Sequence, residues 1–125
     1  MFNVLQIELT DALYNEINAD GGTGFKAIAR SDAILKGDVD RAAALSMYSH
    51  VADVHTDNLN EAFKVMNLWN DEDKVTRHGQ VHSLSVGDIL VKPGTFDAYV
   101  VKGGTFKKLD DHLSRIVVGL TEFTR

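Results

Sequence analysis

Between residues 75 and 91 the chain reads VTRHGQVHSLSVGDILV, which gathers His78, His82, Ser83, Ser85 and Asp88 into one short stretch. Two imidazoles four positions apart are the raw material of a metal site, and serine, histidine and aspartate are that of a hydrolase centre. On a helix the HxxxH spacing puts both rings on one face, as in zinc peptidases, but that motif carries a glutamate beside its first histidine. Here the neighbour is Gly79, which also disfavours helix between the two. On an extended chain the rings share a face but stand roughly 13 Å apart, too far for one cation. A third ligand from His50, His55 or Asp88 would have to arrive through tertiary contacts. Ser83 and Ser85 lack the GxSxG elbow that exposes a hydrolase nucleophile. His78, His82, Ser83 and Asp88 therefore stand as weak catalytic candidates, with a polar turn feeding a buried strand as the stronger reading. No resident metal is assigned.

Placing that stretch requires the elements around it. FNVLQIEL alternates enough for a strand. Thr10 is an N-cap candidate for DALYNEIN, and NADGGTG ends that helix with glycines. GGTGFK matches neither the P-loop nor the dinucleotide fingerprint, so it reads as a turn and no cofactor is expected. FKAIAR alternates weakly and suggests a strand. Asp38 or Asp40 then caps a helix in RAAALSMYSH, and SHVADVHTD returns to a strand. DNLNEAFKVMNLWN is the clearest helix, with Asp57 as N-cap and a stripe of Leu59, Ala62, Phe63, Met66 and Trp69. A Gly87-Asp88 turn leads into the strand ILV, and KPGT turns into a hairpin around Gly103-Gly104. The ending, DDHLSRIVVGLTEFTR, reads as a last strand or a short helix followed by one. The expectation is one α+β domain over residues 1–125: mostly antiparallel sheet, two or three short helices and a C-terminal β-hairpin.

Composition narrows the function classes. At 125 residues and 44% hydrophobic the chain can fill a single core. Without cysteine it has no disulfide, thiolate metal site or thiol catalysis, which suits a reducing cytoplasm. The start lacks a basic leader, and the longest uncharged apolar run, IVVGL, falls far short of the roughly 20 residues that span a bilayer. A soluble, cytoplasmic protein without membrane contact is expected. The net charge of −5 argues against nucleic acid, for which only Lys102, Lys107 and Lys108 offer a basic cluster.

Two features suit a protein partner. Asp71, Glu72 and Asp73 follow the amphipathic helix, where acids oppose the negative C-terminal end of its dipole. Trp69 closes the apolar stripe, and aromatic residues near an element's end are the usual anchors of an interface. Both also fit a bland reading, a solvated loop and a core side chain. They are the binding candidates.

From Tyr48 to Leu109 the chain resembles small bacteriophage and mobile-element proteins: a strand such as SHVADV, a short helix, a polar segment, a HSLSVGDI strand and a final hairpin. It is also similar to the YodL-like domain. The matching residues are His50, Leu59, Phe63, His82, Ser83, Ser85, Val86, Gly87 and Asp88. The resemblance implies a phage origin and gives no enzymatic assignment. By analogy with compact accessory phage proteins, the expectation is a protein in the host cytoplasm that binds and modulates a host protein, as an inhibitor in takeover or anti-defence. The lack of a cofactor motif or catalytic grouping favours a non-enzymatic role. One alternative is a small-ligand binder or hydrolase built on His78, His82, Ser83 and Asp88. Another is a self-assembling phage structural protein, for which an apolar C-terminal strand would offer a homodimer edge.

Overall fold

A computed structural model describes residues 1–7, 9–19, 21, 24–69 and 71–123, with side chains to residue 121. The element order is β1 (Phe2–Ile7), α1 (Asp11–Asn18), α2 (Phe25–Lys36), α3 (Asp40–Ala44), β2 (Tyr48–Val54), α4 (Leu59–Leu68), a 3-10 turn (Glu72–Lys74), β3 (Val75–Arg77), β4 (Ile89–Val91), β5 (Ala98–Lys102), β6 (Thr105–Lys108) and α5 (Asp111–Phe123). The strands form one antiparallel sheet in the order β3-β2-β1-β4-β5-β6. The chain is a single α+β domain, as its patterning predicts.

Alternation along the strands divides the interior into two cores. Leu5, Tyr48, Ile89, Val91 and Val100 face α2, α3 and α5, where Ala29, Ala33, Ala42, Leu113 and Val117 meet them. Val4, Ala52, Val54 and Leu90 face the opposite way, onto Ala62, Val65 and Met66 of α4. The sheet is thus covered on both faces. That explains why β1 and β4 are buried almost throughout.

Five α-helices occur among the described residues, more than the two or three expected. The main correction is Phe25–Lys36, a twelve-residue helix where weak alternation suggested a strand. Alanine favours helix, and Ala29 and Ala33 lie one turn apart against the sheet. The second is the C-terminus, where Asp111–Phe123 is helical rather than a strand. Leu113, Val117 and Thr121, four apart, form its buried line, and this stripe outweighs the β-preference of Ile116, Val117 and Val118. Among the described residues this segment offers no strand edge to a second chain. Smaller differences follow from local bonds. Asn58, not Asp57, caps α4 by accepting from the Glu61 N–H at 3.0 Å, while Asp57 pairs with the N-terminal amine at 2.7 Å. Val75–Arg77, part of the expected polar connection, forms an edge strand. Thr10 caps α1 as predicted, its Oγ1 accepting from Leu13 N–H. No helix among the described residues is long and apolar enough to cross a membrane.

Candidate functional site

Residues three apart on a regular strand point to opposite faces, so His50 and Asp53 of β2 should diverge. They meet because β2 carries a bulge. Val4 pairs with Ala52 and Leu5 with His50, which leaves Val51 without an opposite residue and shifts the alternation by one. His50 Nε2 consequently donates to Asp53 Oδ1 at 2.6 Å. The edge strand β3 brings the third member. His78 follows it directly, its N–H bonds the Val51 carbonyl at 2.8 Å, and its Nε2 donates to Asp53 Oδ2 at 2.8 Å. The two imidazoles touch edge to face, with centroids 4.8 Å apart.

An ionised carboxylate only accepts, so both Nε2 atoms carry their protons in this arrangement. Partial burial raises the Asp53 carboxyl, but hydrogen bonds from His78 and His50 and their charges outweigh it and hold the group below the ordinary carboxylate range. One ligand atom from each of His50, Asp53 and His78 lies within 4.8 Å of the others, close enough to hold one cation. His50 is buried and His78 is half-exposed, so this trio opens outward from the sheet edge.

A second polar group lies where β1 meets the loop before β4. The two N–H bonds of the Gln6 amide go to the His82 carbonyl at 2.9 Å and to Asp88 Oδ2 at 3.0 Å, while Gln6 Oε1 accepts from His82 N–H. Asp88 Oδ2 also accepts from Ser85 N–H at 3.0 Å, closing the turn. Burial pushes the Asp88 carboxyl up to about 6, against the pull of Ser85, His82 and Gln6. The Tyr48 hydroxyl donates to the Gly87 carbonyl, and burial, helped by the Asp88 charge, raises that phenol. Gly87 has φ +92°, and a Cβ there would sit 2.4 Å from the Ala33 carbonyl oxygen, so glycine lets the loop lie on α2. Two adjoining clefts, about 450 and 270 Å³, share Ile7, Arg30 and His82 as walls.

The catalytic candidates therefore separate. His82 and Asp88 approach to 3.9 Å, but His78 turns to Asp53 and the Ser83 hydroxyl accepts from Trp69 Nε1 at 3.2 Å. The four do not converge as nucleophile, base and orienter. Three of the four binding candidates have local partners. Asp71 pairs with Lys74 at 3.5 Å, Glu72 with Arg77 at 3.1 Å, and Asp73 is exposed on the 3-10 turn. Trp69 is half-buried against the α4 core, with the Arg77 guanidinium over its ring at 4.6 Å.

What the sequence reading missed is α2. It buries its alanines, Ala27, Ala29 and Ala33, and turns large apolar side chains outward: Phe25 is 84% exposed and Leu35 75%, with Ile28 between them. Spacings of three and seven put Phe25, Ile28 and Leu35 on one stripe, with Asp32 inside it. The signal was present as an alanine pattern opposite a large-residue pattern. Comparison with protein-family models, curated proteins and solved structures gave no match.

Proposed function

We propose that this protein is a non-enzymatic binding module of bacteriophage type that acts by seating the outer stripe of α2 in a groove of a host protein. The inverted helix carries the reading. A surface helix ordinarily sends its large apolar residues inward and its small or polar ones outward. α2 does the reverse, leaving Phe25 and Leu35 largely in water with a partly exposed Ile28 between them. Such a stripe fits helix-in-groove recognition, in which anchors three, four and seven apart enter apolar pockets.

Charge favours a different protein over a second copy. Two α2 helices laid antiparallel with Phe25 beside Leu35 would set Asp32 against the other copy's Ile28, burying a carboxylate on an apolar side chain. Among the described residues the cationic neighbours of Asp32 are loose, Lys36 at 3.9 Å and Arg41 at 3.8 Å. A groove with an apolar floor and one basic residue opposite Asp32 meets the stripe better. The likeness of residues 48–109 to small phage proteins supports a partner in the bacterial host.

The test compares wild type with a Phe25→Ser/Leu35→Ser double variant in pull-downs from bacterial lysate, followed by titration of the purified captured protein. Wild type should bind it one to one, and the variant at least about tenfold more weakly, the loss that follows from truncating interface anchors. Equal capture by both proteins would sink the reading. So would light scattering that shows a wild-type dimer and a variant monomer, since the stripe would then serve self-association.

A further inference from the structure

We infer that His50, Asp53 and His78 form a binding site for a divalent transition-metal cation of the zinc class. Two imidazole nitrogens and one carboxylate are a borderline donor set, which suits zinc, cobalt or nickel and not the all-oxygen shells of magnesium or calcium. The site lies at the β2–β3 edge, away from the α2 stripe, and is independent of how that stripe functions.

The backbone sets the three donors. The Val51 bulge turns His50 and Asp53 to the same side, and the Val51 carbonyl fixes His78 through its N–H. The ligand atoms already cluster within 4.8 Å. Tetrahedral zinc with bonds of about 2.0–2.2 Å needs donors roughly 3.3–3.5 Å apart. The two Nε2 atoms, now 2.6 and 2.8 Å from the carboxylate oxygens, would each retreat by less than about 1 Å. The half-exposed His78 can supply much of that movement. On binding, each imidazole gives up its Nε2 proton, to its own Nδ1 or to water, and presents the Nε2 lone pair to the cation, so no redox change is involved. The burial gradient, from the enclosed His50 ring to the open His78, leaves the remaining coordination position toward solvent. Water would fill it.

Cobalt(II) is the probe, titrated into untagged protein and followed by its visible d–d absorption. Wild type should saturate at one cobalt per chain, and zinc should displace the signal. His78→Ala and Asp53→Asn should each bind about tenfold or more weakly, because each removes one of three protein ligands. His55→Ala and His112→Ala, at exposed histidines outside the trio, should bind as wild type does. Circular dichroism of His78→Ala checks that the loss is local. Absence of saturable binding by wild type, or undiminished binding by a folded His78→Ala, would overturn the site.

Discussion

Gln6 Nε2 lies 3.0 Å from Asp88 Oδ2, so a side chain of the central strand holds a buried carboxylate of the loop before β4. Burial raises that carboxyl from 3.8 to about 6. A raised acid is protonated more readily folded than unfolded, so its contribution to stability is greatest below the unfolded value. It declines as pH rises from about 4 to about 6 and is level above that. The decline is on the order of 2–3 kcal/mol. Asp88→Asn keeps an oxygen acceptor for Gln6 and Ser85 but removes the charge. Urea denaturation across this range should show wild type losing stability relative to the variant as pH rises. Parallel curves would refute the assignment.

The same loop is held at Gly87. Gly87→Ala forces a Cβ to within 2.4 Å of a backbone oxygen at φ +92°, so no side-chain adjustment relieves it. A loss of about 2 kcal/mol or more is expected from the positive φ and the clash together. Tyr48→Phe, which leaves the Gly87 carbonyl without its hydroxyl donor, should cost about 1–3 kcal/mol. Thermal melts of the two variants check both values.

α2 should respond to substitution in reverse of an ordinary surface helix. Leu35→Ser is expected to leave stability within about 0.5 kcal/mol, since the side chain is mostly in water. Ala33→Leu, at a fully buried position against the sheet, should cost about 1–3 kcal/mol by overpacking. Chemical denaturation that ranked the two the other way would mean α2 is turned around its axis.

Trp69 is the only tryptophan, so its emission reports on one place. Arg77→Ala removes the guanidinium from above the ring and should shift emission while costing about 0.5–1 kcal/mol. An unchanged spectrum would show that the stacking is absent in solution.

Which parts of this architecture could be read from the chain follows from the range of the forces involved. Thr10, the α4 stripe and the Gly103-Gly104 hairpin are local, and their residue types specify them. α2 failed because Phe25, Ala27 and Ala29 alternate over a few residues, although a helical alanine line extends further to Ala33. The His50–Asp53 pair was illegible because it depends on a bulge, and a bulge is a property of two strands in register. His78 was legible as a residue capable of chemistry, but its partner was not. Sequence proximity tied it to His82, whereas strand pairing delivered it to Asp53.

The position of β1 has a consequence for how the chain is made. β1 lies between β2 and β4, and without it the sheet falls into a β2–β3 pair and a β4–β5–β6 meander with no strand ladder joining them. Residues 48–109 contain both pieces but not the strand that unites them. On the ribosome, Phe2–Ile7 emerges early and must wait until Val91 has been synthesised before both its edges are covered. Until then β1 can pair with β2 alone, its other edge stays open, and the sheet is completed late.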